Sequence, residues 1–166
     1  MPRKVFYSFH YQPDVHRVAK LRNIGVIEGN RPATDNGWES VKSAGEGAIK
    51  KWIEAEMSGR SCTLVLAGAR TAGRKWITHE IVRSWDRGMG VAVIYIHGIS
   101  NLAGVTTAKG ANPLESVTHG PTQRRLSSIA KAYTPPGADS PSRYRWIAAN
   151  VEAIIEEAIK IRKASV

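Results

Sequence analysis

Hydrophobic and polar positions repeat with two periods along this chain, near two and near 3.6 residues, and the switches between them mark its elements. Val5 to Phe9 is aromatic and β-branched and leads into Pro13-Asp14, which predicts a first strand, a loop and a helix start. From Asp14, the apolar Val15, Val18 and Leu21 oppose Arg17, Lys20 and Arg22, a helical pattern that runs out near Asn23 to Gly25. Val26-Ile27 predicts a short second strand before a turn-rich stretch containing Gly29, Asn30, Pro32, Asp35 and Gly37. Ile49, Trp52, Ile53 and Met57 define a second helix that Ser58-Gly59 stops. The buried-type strands Cys62 to Ala67 and Val91 to Ile96 enclose a third helix, Trp76 to Arg87, with Ile77, Ile81, Ser84 and Trp85 on one face. Between His97 and Tyr144 the chain is rich in Gly, Pro, Ser and Thr, and only Arg124 to Tyr133 reads as helical. Ile147, Val151, Ile154, Ile155, Ala158 and Ile159 form the stripe of a long closing helix. Strands alternating with helices predict an α/β fold, a doubly wound parallel sheet with helices on both faces. Residues 1–166 form a single domain in this reading, with a long irregular insertion at about 98–145.

Composition adds a charge to this picture. The 24 Lys and Arg against 14 Asp and Glu give +10, which directs attention to anionic ligands. At 42 % hydrophobic and 23 % charged, the chain is nevertheless of the globular class. Its apolar runs fall far short of the roughly 20 residues that cross a bilayer. No apolar leader follows Met1-Pro2-Arg3-Lys4, and the single cysteine, Cys62, suits a reducing compartment, so a cytoplasmic location is expected.

Gly68 to Lys75 resembles a phosphate-binding loop in having two glycines five apart between a strand and a helix. It lacks the Lys and Ser/Thr that must follow the second glycine, because Arg74, Lys75 and Trp76 stand there, so ATP hydrolysis is not expected. What remains is a relaxed loop with three cations opening onto helix N–H groups, equally consistent with an anion site and with an ordinary solvated turn. Trp76 and Glu80 stand at i and i+4 on the third helix, whose start borders the crevice at the carboxyl ends of the strands. His10 and Asp14, with Ser8, Tyr11 and Arg17, follow the first strand at the same edge, where a helix-capping role is the simpler alternative. The five histidines have no metal-ligand spacing and no cysteine partner, so no metal is expected. Neither Ser8 nor Cys62 sits in an acyl-transfer motif.

These residues also carry a family resemblance. Lys4-Val5-Phe6-Tyr7-Ser8-Phe9-His10, with Asp14 and Arg17, resembles the first box of a TIR-like domain, and Trp76-Ile77-Thr78-His79-Glu80 resembles the W-x-x-x-E segment of NAD-consuming members. Together with Trp38-Glu39, Ile49 to Ile53, Thr63 to Leu66 and Tyr95-Ile96-His97, the chain over residues 3–100 is similar to the TIR-like signal producers of bacterial Thoeris antiphage defence. The resemblance implies a flavodoxin-like or TIR-like sheet. It also implies cleavage of the nicotinamide–ribose bond of NAD to give a cyclic ADP-ribose-type signal. Glu80 would be catalytic, with Phe6, Ser8, His10, Asp14, Arg17 and Trp76 binding substrate. NAD is then substrate rather than cofactor, and a separate NAD-degrading or membrane effector senses the product; homo-oligomerisation is a further expectation. Three other readings stand beside this one: a non-catalytic TIR-like interaction module, a nucleic-acid-binding domain prompted by +10, and a nucleoside glycosidase or deoxyribosyltransferase.

Overall fold

The computed structural model describes residues 3–22, 24, 27–29, 41 and 43–165. Its elements in chain order begin with β1 (Arg3–Phe9), α1 (Tyr11–Leu21), β2 (Ile27–Gly29), α2 (Glu46–Met57) and β3 (Cys62–Ala67). They continue with α3 (Lys75–Asp86), β4 (Gly90–Tyr95), β5 (Thr118–His119), β6 (Arg124–Arg125), β7 (Ala132–Tyr133) and α4 (Ser140–Ala164). Two short 3₁₀ turns, Pro113–Ser116 and Leu126–Ser128, lie between β4 and β7. The turn-rich stretch 30–40, including Trp38-Glu39, lies outside the described residues.

The strands pair in the order β2-β1-β3-β4-β7, every pairing parallel. The α/β, doubly wound reading therefore holds. One face is closed by α1 and α4, where Val18, Leu21, Ile147, Val151 and Ile155 meet Val5, Leu64, Leu66 and Ile94. On the other, α3 brings Ile77, Ile81 and Trp85 onto Val65, Val91 and Val93, and α2 brings Ile49, Ile53 and Met57 onto Phe6. The approach of α4 is close enough to require glycine at Gly90, where a Cβ would stand 2.7 Å from the Ala158 backbone carbon.

The helix expected over Arg124 to Tyr133 is absent. Leu126, Ile129 and Ala130 have helical spacing, but a single 3₁₀ turn already puts Leu126 and Ala130 into the core beside α3, with Ile129 packed against it. The chain then extends so that Ala132 and Tyr133 pair with Val93 and Ile94 as the fifth strand, and Pro135-Pro136 blocks helix thereafter. The 98–145 segment thus completes the sheet rather than hanging from it. No helix among the described residues is long and apolar enough to cross a membrane.

Candidate functional site

The central relationship is a register between β1, β3 and α3. Side chains alternate along β1, so Phe6 and Ser8 both face α3 and α2, and they pair with Thr63 and Val65 of β3. Thr63 Oγ1 lies 2.6 Å from Ser84 Oγ, fully buried, which fixes α3 along the sheet. The Ser84 hydroxyl donates in turn to the Glu80 carbonyl at 2.7 Å. Four helical residues rise about 6 Å and two strand residues about 6.6 Å, so Glu80, four residues before Ser84, comes level with Ser8, two residues after Phe6.

Glu80 is only 8 % exposed. Burial pushes its carboxyl up to about 8, opposed by the nearby Ser8 hydroxyl, which favours the charged form. Among the described residues no hydrogen bond of ordinary geometry holds Ser8 Oγ, although the residue is completely buried. Among the described residues no cation pairs with this carboxyl, which burial biases toward its protonated form beside the Ser8 hydroxyl at the carboxyl edge of the sheet.

The remaining predicted site residues divide into rim and wall. His10 follows β1, half-buried, with Nδ1 buried and unpartnered; burial and then the charges of Arg74 and Arg70 hold its pKa below the usual imidazole value. Trp76, half-buried at the start of α3, packs against the Phe6 cluster and takes the His79 ring edge-on at 5.5 Å. Phe6 itself is a core residue, 1 % exposed beneath α2. Asp14 is buried with one oxygen unpartnered, its pKa raised by burial against the opposing pull of Arg17. A Cβ at Gly68, just after β3, would collide with that carboxylate, so Gly68 is required by the approach of Asp14.

Arg17 turns inward. Its guanidinium donates to the carbonyls of Ile99 at 2.7 Å, Pro13 at 2.8 Å and Val105 at 2.9 Å, and pairs with Asp14 at 3.2 Å. Lys20 adds bonds to Ser100. Together they strap the segment after β4 onto α1. The strap returns over the sheet edge at Gly110, where a Cβ would sit 2.6 Å from the Gly68 carbonyl and 2.7 Å from that of Ala69. Sequence reasoning missed Thr63, Ser84 and this strap; among these only the placement of Ser84 on the inner stripe of α3 gave a signal. Among the described residues, no group of three His, Cys, Asp or Glu side chains is arranged to hold a metal ion.

Residues 6–101, which hold every one of these site groups except the far end of the strap, match the family model for the Thoeris protein ThsB, TIR-like domain. The chain belongs to this family. A curated ThsB relative from Bacillus cereus (strain MSX-D12), named a putative cyclic ADP-D-ribose synthase ThsB1, is 33 % identical over 120 residues. That alignment covers 69 % of this chain and 62 % of the relative, so the chain spans less than two thirds of the protein it matches. The ThsB match takes in β1, β3, α3 and β4, the elements that set Glu80 over Ser8.

Proposed function

We propose that this protein is an NAD-processing enzyme that breaks the nicotinamide–ribose bond and closes the ADP-ribosyl group into a cyclic ADP-ribose-type signal in antiphage defence. The observation that carries this reading is the Glu80 carboxyl, buried beside Ser8 at the carboxyl edge of β1 and β3 with no cationic partner among the described residues. Membership of the ThsB family and the name of the Bacillus relative support it.

Breaking an N-glycosidic bond develops positive charge on the ribose, and an adjacent carboxylate stabilises that charge most where water is excluded. The nicotinamide of NAD is already cationic. Its arrival beside Glu80 supplies the opposite charge that burial withholds, so substrate entry draws the carboxyl into its ionised form. Ser8 steadies that form, Trp76 walls the entrance and His10 stands at the rim. Phe6, Asp14 and Arg17 act one layer back, shaping the crevice rather than touching substrate. NAD is consumed as substrate, with no further cofactor, and a separate effector reads the product.

The test is NAD turnover and product formation by wild type and Glu80→Gln, followed by chromatography and by mass spectrometry of nucleotides from phage-infected cells. Cyclic ADP-ribose-type product from wild type alone is expected. A folded Glu80→Gln protein that still makes it would overturn the assignment.

A further inference from the structure

We propose that Arg70 and Arg74, together with His10, form the diphosphate-binding side of the crevice, where the phosphates of a dinucleotide lie while its ribose meets Glu80. This rests on the reading of NAD as substrate. The sheet order places β2 on one side of β1 and β3 on the other, so the connections leaving β1 and β3 diverge and open a crevice at their carboxyl ends. His10 follows β1 directly, and Arg70 and Arg74 both stand in the connection from β3 to α3.

Their charges are unbalanced. Arg3, Arg60, Lys75, Arg83, Arg87, Arg125 and Lys131 all meet carboxylates. Arg70 and Arg74 are exposed, have no hydrogen bond or ion pair among the described residues, and both bear on the His10 imidazole. Two like charges of the β3–α3 connection thus bear on the imidazole that follows β1, while the nearby Asp14 carboxylate is buried against Gly68 and already paired with Arg17; an anion would relieve this arrangement. Arg17 cannot serve, because its nitrogens are occupied by Asp14 and three carbonyls.

The loop is built to hold these cations in place. The Gly68 amide donates to Thr71 Oγ1 at 2.8 Å, Thr71 is fully buried, and Gly110 of the strap presses on the Gly68 and Ala69 carbonyls. Arg74 also occupies the N-cap of α3 without a side-chain cap, leaving the first amides of that helix open to the same anion. Six residues separate Arg74 from Glu80, about 9 Å along α3, a span that a ribose, its 5′ phosphate and a guanidinium arm can bridge.

Calorimetric titration of the full chain with ADP-ribose, which carries the diphosphate, and with nicotinamide riboside, which lacks it, tests the assignment. The Arg70→Gln/Arg74→Gln variant should lose about tenfold or more in ADP-ribose affinity and show a shallower salt dependence, with nicotinamide riboside binding unchanged. A Lys160→Gln control removes a positive charge on α4, remote in the sequence, and should leave both ligands unaffected. Unchanged ADP-ribose affinity in the double variant, beside a wild type that binds it, overturns this inference alone. A wild type that binds neither ADP-ribose nor NAD overturns the reading of NAD as substrate as well.

Discussion

Thr63 and Ser84 face each other with their hydroxyl oxygens 2.6 Å apart in the interior, and this contact sets the height of Glu80 over the sheet. Because the Ser84 proton goes to the Glu80 carbonyl, Thr63 donates to Ser84 in the resulting chain. Removing one partner strands the other in a dry site, whereas replacing both by apolar groups does not. Ser84→Ala should therefore cost about 1–3 kcal/mol, and Thr63→Val combined with Ser84→Ala should cost clearly less than the sum of the two single changes. Chemical denaturation of the four proteins of the cycle measures this coupling; strict additivity would remove the contact from its organising role.

Arg17 makes a second, longer-range demand. It ties α1 to carbonyls 82 and 88 residues further along the chain. Arg17→Ala leaves Asp14 buried without its cation and leaves the Ile99 and Val105 carbonyls without this donor, so a loss of about 3–5 kcal/mol is expected. Arg17→Lys should recover little of it, since one ammonium cannot reproduce the fork. Hydrogen exchange should accelerate most at the amides of residues 99–107. Acceleration spread evenly over the sheet would argue against a strap.

The contrast between these two contacts explains what was legible in the sequence. Strands β1, β3 and β4 were readable because a parallel strand covered on both faces is a continuous apolar run, as in Leu64-Val65-Leu66. The strand β7 was not, because Ala132-Tyr133 is too short to have a pattern and exists only by pairing with β4. The spacing of Leu126, Ile129 and Ala130 suits a helix and a 3₁₀ turn alike, and Pro135-Pro136 together with the free edge of β4 decided for the latter.

At the site, Glu80 was legible through its spacing from Trp76 and the family resemblance that spacing carries. The direction of Arg17, towards backbone carbonyls, is not legible in the sequence. A sequence records that a cation stands after the first strand, but whether it points to solvent, ligand or backbone depends on Ile99 and Val105, which arrive from another part of the chain. Phe6 raised the same difficulty: alternation along β1 puts it on the site face, and only the position of α2 shows that the site begins one step later, at Ser8.

Gly110 offers a steric test of the strap. A Cβ there meets backbone oxygens of Gly68 and Ala69 rather than the movable end of a side chain, so the strap or the loop must shift. Gly110→Ala should destabilise by about 1–3 kcal/mol, as overpacking does elsewhere. It should also weaken ADP-ribose binding by displacing the loop that carries Arg70 and Arg74. Gly73→Ala is a useful companion: that residue has φ of 80° with open space around it, so its cost should be conformational and smaller.

The Glu80 carboxyl makes stability depend on pH with a defined sign. Its folded-state pKa is raised, from an ordinary carboxylate value of 4.5 to about 8. Between these values the folded chain keeps a proton that the unfolded chain releases, so stability is full below about pH 4.5 and falls as pH rises towards 8. Glu80→Gln removes this fall, and the variant should gain in Tm on wild type progressively from pH 5 to pH 8. Turnover has the opposite sign if the ionised carboxylate stabilises the ribosyl cation: kcat/KM for NAD should rise with pH along a limb set by the free enzyme's Glu80. Since Ser8 favours the charged form, Ser8→Ala should move that limb to higher pH while leaving the high-pH plateau near wild type. A limb that stays in place, with only the plateau lowered, would mean that Ser8 contacts substrate instead of tuning Glu80.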